Sequence, residues 1–506
     1  MSPAEHLLMA PIVFPAIAAP LALIAMRRRR RVGVAISLVG CAAMLAAAVA
    51  LLGLAQDDAI RAYPLGNWPA PFGIVLVLDR LAGMMLVLAA VLAAIVMIHA
   101  VVTGADRKGW HFHPLFHFQL LGINGAFLTG DLFNLFVFFE VLLIASYGLM
   151  LHGQGALRMK AGVAYVVVNI LGSAVFLIAL GLLYALTGTL NMADLARRVA
   201  ALGAADQGMI RVAGLLLMTV FALKAAVVPL HLWLPRTYAA AMPVVAALFA
   251  IMTKVGVYAM LRVVPLIFAD RAGAAAWVPS PWLLPAAMLT AVLGYGGVLA
   301  ARGMREQAAF AVIGSTGTLL LAVDNWTPAS TMAALFYLVQ ATLAGAMLFL
   351  VADATLRRRG QYGDAMTPSP RFAGQEAAAL LYLTAAIAAI GLPPLAGFVG
   401  KLLILRGTVD APWQGAIWAT VLGTTLIGVV GFARSGSVLF WKADAAASPI
   451  ACPARARADF VAPALLLALF LGYMVAAGWA SGQAAAAAAQ IHAPDRYVAA
   501  VLGDAR

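Results

Sequence analysis

The sequence predicts an all-α polytopic membrane protein, and three observations carry that class. Of 506 residues, 64% are hydrophobic and 10% charged, against about 45–50% apolar and about 25% charged in soluble domains. Mean hydropathy is +0.98. The apolar residues gather into runs of roughly 20, the length that crosses a bilayer as a helix. The formal net charge of +13 collects in alternate loops, as cytoplasmic loops of membrane proteins collect Lys and Arg. Together these exclude a soluble enzyme, a disordered chain and a nucleic-acid-binding domain. Two cysteines, Cys41 and Cys452, are too few for a disulfide framework or a Cys-ligated iron–sulfur cluster.

The runs predict about fourteen spans, near 4–26, 32–55, 74–102, 112–129, 131–151, 161–187, 209–234, 239–265, 281–301, 306–323, 329–352, 375–406, 411–441 and 460–480. The first is followed, not preceded, by its basic block, Arg27 to Arg31. That order fits a span better than a secretory leader. With that block inside, the inner loops also hold Arg107, Lys108, Arg158, Lys160, Arg236, Arg302, Arg305, Arg357 to Arg359, Arg371, Lys442, Arg455 and Arg457. The outer loops hold fewer, chiefly Arg61, Arg197, Arg198, Arg271 and Arg496. Both termini are therefore expected outside. The polar stretch 188–208 has apolar residues at helical spacing and reads as a short outer surface helix. The expected organisation is 1–103 (three helices), 112–268 and 281–441 (five each), 460–480 (the last helix) and an Ala-rich tail, 481–506.

Most charges lie in loops or, like Asp79, Arg80, Asp131, Arg262 and Arg406, near span ends, where solvation or snorkelling explains them. Four fall deep inside apolar runs: Glu140, Lys224, Lys254 and Lys401. Each costs about 2.5–3.5 kcal/mol at a helix centre on insertion scales. Ion pairing alone does not account for them, because one Glu cannot neutralise three Lys. Some lysines must be hydrated, paired by turns, or neutral. Desolvation disfavours an ammonium ion and a nearby carboxylate favours it. A lysine whose distance to Glu140 can change therefore takes up and releases protons. The reading that follows has Lys224 hold a proton while paired with Glu140 and pass it inward to Lys254 on separation.

Two of these lysines lie beside helix breakers. Pro229 follows Lys224 within the seventh span, and Gly391-Leu392-Pro393-Pro394 precedes Lys401 within the twelfth. Proline removes a backbone donor, and freed backbone at membrane depth is tolerated only against protein or a watery cavity. The two broken spans are five places apart in order, an odd number, so they cross in opposite directions, the pattern of an inverted repeat. His231, Thr253, Tyr258, Tyr295, Ser315, Thr316, Thr318, Tyr337 and Gln340 could link the charged residues. His231, Thr253 and Tyr258 are the supporting candidates nearest the lysines. His111, His113 and His117 lack a carboxylate constellation, so no metal site is expected. No glycine-rich phosphate loop is present. The chain is expected to carry no cofactor, and any redox or nucleotide chemistry must belong to a partner.

The stretches GDLFNLFVFFEVLLIASYGLM (130–150), FALKAAVVPLHLWLPRTYAAAMPVVAALFAIMTKVGVYAMLR (221–262) and IGLPPLAGFVGKLLIL (390–405) resemble the antiporter-like subunits. That family is shared by respiratory complex I (NADH-quinone oxidoreductase), membrane-bound hydrogenases and multisubunit monovalent cation/proton antiporters (Mrp, or Pha). The resemblance covers nearly the whole chain. It implies fourteen helices with two inverted five-helix repeats and broken helices 7 and 12. It also implies that Glu140, Lys224, Lys254 and Lys401 form a proton-transfer axis along the membrane. The LFNLFVFFE run and the GLPPLAGFVGK form look like the D-type branch of the cation/proton antiporter subunits. The tenth span, QAAFAVIGSTGTLLLA, departs from an SxxGY-like pattern of many members, which points toward the proteobacterial, potassium-efflux branch.

Two functions from different classes follow. One is a subunit of a secondary Na+ or K+/H+ antiporter, not an enzyme, in the bacterial inner membrane, with other antiporter subunits, protons, Na+ or K+, and lipid as partners. The other is a proton-pumping subunit of a complex I-type or hydrogenase redox enzyme, without its own redox site. A helical scaffold with no transport role is the bland alternative.

Overall fold

The computed structural model describes residues 3–442 and 458–503. Cys452, Arg455 and Arg457 lie outside the described residues. Each of the fourteen apolar runs is occupied by helix. Among the described residues, twelve helices are long and apolar enough to cross a membrane. The two remaining runs are shorter pieces. Phe112–Leu128 has 17 residues and carries His113, His117, Gln119 and Asn124. The twelfth run divides into Gln375–Ile390 and Ala396–Gly407.

Burial sorts the helices into a centre and a rim. The windows of Pro243–Ile267 and Pro328–Leu356 are 100% and 94% buried, whereas Ala156–Thr187 is 33% buried. The rim exposes Leu157, Ile170, Leu171 and Ile178, the surface a bilayer covers without cost. The short surface helix is present as Met192–Ala200, with the Asn191 side chain accepting from the N–H groups of Ala193 (3.0 Å) and Asp194 (3.2 Å). That satisfies donors the helix start leaves free.

Three features differ from the sequence reading. The third span does not start at 74. Val75–Leu78 is a β-strand, antiparallel to Arg61–Pro64, with Arg61 opposite Leu78. The helix begins at Arg80, where the Asp79 carboxylate accepts from the Ala82 N–H (2.8 Å). The stretch 74–78 is apolar enough to extend the run, but an N-cap and β-branched valines set the boundary. The eighth span is also interrupted, with Pro243–Phe249 and Met252–Ile267 meeting at Ala250 and Ile251. The Ala-rich tail contains two helices, Ala477–Ile491 and Pro494–Leu502.

The inverted repeat leaves a backbone signature. Asp131, just before the Leu132–Met150 helix, forms an antiparallel bridge with Asn191; Gly303, just before Met304–Val323, forms one with Ala365. Each bridge joins the entry of a repeat's second helix to the loop ahead of its broken helix. The two lie at opposite ends of the bundle. Arg305 shares a cavity with Arg158, beyond the Met150 end of the helix that Asp131 begins.

Candidate functional site

The breaks create the site by freeing backbone groups that side chains then satisfy. After Gln207–Lys224 the chain leaves the helix, with Ala226 at φ 55°, and resumes at Trp233–Ala240. The Trp233 indole donates to the Leu223 carbonyl (3.1 Å), and the Val228 N–H donates to Thr290 Oγ1 (2.9 Å). At the second break, Gln340 Nε2 donates to the Ala388 carbonyl (2.8 Å) and the Tyr295 hydroxyl to the Ala389 carbonyl (3.1 Å). Orphaned groups at helix ends require such partners in a dry interior. Gly391, at φ 76°, has room for no side chain. A Cβ there would meet the Gly397 carbonyl at 2.8 Å and Lys401 Cδ at 3.0 Å.

The three lysines are buried, at 7%, 0% and 5% exposure for Lys224, Lys254 and Lys401. Lys224 Nζ donates to Asn169 Oδ1 (3.1 Å). Glu140 is half-buried and accepts a hydrogen bond from the Ser173 hydroxyl. Its carboxylate acts on Lys224 electrostatically, and among the described residues no ion pair joins the two. Asn169 and Ser173 lie four residues apart on the Ala156–Thr187 helix and so share a face. One holds the amine and the other the carboxylate.

Among the described residues Lys254 Nζ bonds hydroxyls only: Thr253 (3.2 Å), Ser315 (3.3 Å) and Thr316 (3.3 Å). A void of about 10 Å³ is lined by Lys224, Asn169 and Trp233 together with Met252 and Val255 of the Lys254 helix. That is about the least space that admits one water. Lys401 Nζ donates to Thr425 Oγ1 (2.6 Å) and lies 5.1 Å from the centre of the Tyr295 ring. Between Lys254 and Lys401, the buried Tyr337 hydroxyl sits beside Tyr295 and Thr318 without completing a hydrogen bond. Gln340 Oε1 is likewise buried and unsatisfied. Unsatisfied buried polar atoms mark places where water or a proton carrier completes a network.

The supporting candidates divide. Thr253 touches Lys254. His231 sits in the first break, half-buried, with Nδ1 lacking a partner. Tyr258 faces away: its hydroxyl donates to the Phe127 carbonyl (2.6 Å) and accepts from Arg262 Nε (3.3 Å). Arg262 and Asp79 are not the interfacial charges expected of span ends. They form a buried bidentate pair, with Arg262 Nη2 2.8 Å from Asp79 Oδ1. His113 is bound between Ser37 (2.9 Å) and Asp106 (3.1 Å). Sequence reasoning missed Asn169, Ser173 and Thr425, and also the buried pair His99 and Asp353 with the half-buried Arg357 (3.0 and 2.8 Å). Uncharged polar residues in spans usually serve packing, so nothing in one sequence sets Asn169 or Thr425 apart.

A bundle of membrane-length helices with broken members and ionisable residues in its interior belongs to the class of polytopic membrane transport proteins. The profile described as NADH:quinone oxidoreductase/Mrp antiporter, TM matches residues 129–428, and the chain belongs to that family. A protein of Rhizobium meliloti (strain 1021), named as the probable D-type subunit of a K(+)/H(+) antiporter, is 40% identical over 86% of this chain and 87% of its own length. The protein of Bacillus subtilis (strain 168) named as the D-type subunit of a Na(+)/H(+) antiporter is 35% identical over 88% of each. A chain in the structure of the Mrp complex from Dietzia sp. DQ12-45-1b is 28% identical, with a TM-score of 0.86 over 99% of this chain and 100% of that one. A chain of respiratory complex I from Thermus thermophilus shares the fold, with a TM-score of 0.77 at 23% identity over 96% of this chain and 99% of that one.

Proposed function

We propose that this chain is the D-type, proton-translocating subunit of a multisubunit Na+ or K+/H+ antiporter, and that protons pass along Glu140, Lys224, Lys254 and Lys401. The observation that carries the reading is the set of three buried lysines, each bonded to amide or hydroxyl oxygens rather than to a carboxylate among the described residues. Neutral oxygens hold an ammonium more weakly than a carboxylate does, so each lysine can give its proton up. Glu140 supplies the one mobile counter-charge at the head of the path. When the Glu140 and Lys224 side chains approach, the ammonium form of Lys224 is favoured. When they part onto Ser173 and Asn169, the proton is released toward Lys254 through the water-sized void. Ser315, Thr316, Thr318, Tyr337 and Tyr295 then form the bridge to Lys401.

The relatives named as D-type antiporter subunits, and the match to a chain of the Mrp complex, support the antiporter over a redox enzyme. The chain is a transporter subunit that works beside other membrane subunits, with no redox cofactor of its own. It lies in the bacterial inner membrane with fourteen spans in the arrangement 1–103, 112–268, 281–441 and 460–480, both ends outside. The test is cation-dependent proton flux, read by a pH-sensitive dye in everted vesicles carrying the whole complex. Glu140→Gln, Lys224→Ala, Lys254→Ala and Lys401→Ala should each lose most of the flux while the complex still assembles on a native gel. Normal flux in Lys254→Ala would refute the axial route.

A further inference from the structure

At the end of the bundle that the charge pattern places inside, a cavity of about 1000 Å³ opens between the start of the Ala156–Thr187 helix and the segment that follows Pro229. Its lining divides by chemistry. Leu157, Val168 and Leu232 supply apolar wall, while Arg158, Lys160, Arg236 and Arg305 supply positive charge, and among the described residues no acidic side chain lines it. Two of these cations are engaged. Arg305 Nε holds Asp364 (2.8 Å), and Arg158 donates to the carbonyls of His152 (3.0 Å), Gln154 (2.6 Å) and Ala240 (3.0 Å). Lys160 and Arg236 are exposed, with no ion pair among the described residues. Leu157 is 82% exposed and Leu232 73% exposed beside them.

Free cations where helices leave the membrane, next to bare leucines, match a molecule with an anionic head and apolar tails. Basic pockets between helices on the cytoplasmic side recognise lipid headgroups in this way. We propose that this cavity binds an anionic glycerophospholipid of the inner leaflet, its phosphate between Lys160 and Arg236 and its acyl chains against Leu157, Val168 and Leu232. The site also touches the candidate path. Trp233 lines this cavity and the small void at Lys224, and its indole bonds the Leu223 carbonyl. Occupancy therefore bears on the segment that holds Lys224. The binding stands apart from the proton relay; only its effect on flux rests on that relay.

The experiment uses the intact complex, delipidated in detergent and titrated with phosphatidylglycerol or phosphatidylcholine under native mass spectrometry. The wild type should retain phosphatidylglycerol roughly tenfold better or more, since two basic side chains near a lipid phosphate each contribute on the order of a fivefold preference. The Lys160→Gln/Arg236→Gln variant should lose that preference. Lys160→Gln alone, a change at an exposed position, should lose part of it and serves if the double variant does not assemble. Inorganic phosphate should not compete. Undiminished preference in both variants overturns the proposal, as does equal competition by inorganic phosphate, which would mark a soluble-anion site. In phosphatidylcholine vesicles wild type and variant should show the same flux, and added phosphatidylglycerol should raise it several-fold in the wild type alone. Loss of preference with unchanged flux upholds the lipid site and removes its link to Lys224.

Discussion

Lys224, Lys254 and Lys401 share burial but not surroundings. One has an amide oxygen, one has three hydroxyls, and one has a hydroxyl and a nearby tyrosine ring. Making one of these partners a carboxylate should therefore stop release of the proton. Asn169→Asp places an acid 3.1 Å from Lys224 Nζ, and flux should fall about tenfold or more, while Asn169→Ser should retain a measurable fraction. The dye assay in vesicles with equal complex content reads the difference. A separate carboxyl acts on stability. Asp324 ends the Met304–Val323 helix with Oδ1 buried and unpartnered, and burial pushes its carboxyl up from an ordinary 3.8 to about 7. The folded state thus favours the protonated form. Its contribution is fully present below about pH 4 and is lost as pH rises through about 7. The Tm of the purified complex should fall between about pH 5 and about pH 8, and in Asp324→Asn it should fall less.

The helices show where sequence legibility ends. Pro229 and Pro393-Pro394 announce the seventh and twelfth breaks because proline cannot continue a hydrogen-bonded helix. The break at Ala250 and Ile251 has no proline or glycine, and nothing in the sequence marks it. Glu140, Lys224, Lys254 and Lys401 were legible because a charge in lipid is costly. Asn169, Ser173 and Thr425 were not, because a membrane helix tolerates such residues for packing. Close approach is likewise hidden until two helices are placed. Ser280–Ala300 and Met304–Val323 meet through glycines: a Cβ on Gly294 would lie 2.2 Å from the Gly314 nitrogen, and one on Gly317 would lie 2.2 Å from the Ala291 nitrogen. Backbone cannot give way as a side chain can. Gly294→Val and Gly317→Val should each abolish most assembled complex, whereas Gly296→Val, whose Cβ meets nothing within 4 Å, should assemble normally. Size-exclusion profiles of tagged complex distinguish these outcomes.

Across the whole molecule the two repeats match in backbone but not in charge. The bridges Asp131 to Asn191 and Gly303 to Ala365 mark equivalent places. Lys224 ends the half-helix before the first break, and Lys401 lies in the half-helix after the second. The first repeat sets a carboxylate, Glu140, within electrostatic reach of its lysine. In the second, Lys401 bonds Thr425 and no acid pairs with it among the described residues. A relay needs that inequality. If every lysine had its own permanent counter-ion, each proton would be held in place, and nothing would drive transfer from one half to the other. Restoring the symmetry should therefore stop transport without disturbing the fold. Thr425→Asp puts a carboxylate beside Lys401 Nζ, now 2.6 Å from Thr425 Oγ1, and pairs two charges rather than leaving one alone, so the complex should assemble. Flux should drop to less than about a tenth of wild type, and Thr425→Ser, which keeps the hydroxyl, should remain close to normal. Full flux in Thr425→Asp vesicles would mean that Lys401 never has to give up its proton, and the path would then have to end at Lys254.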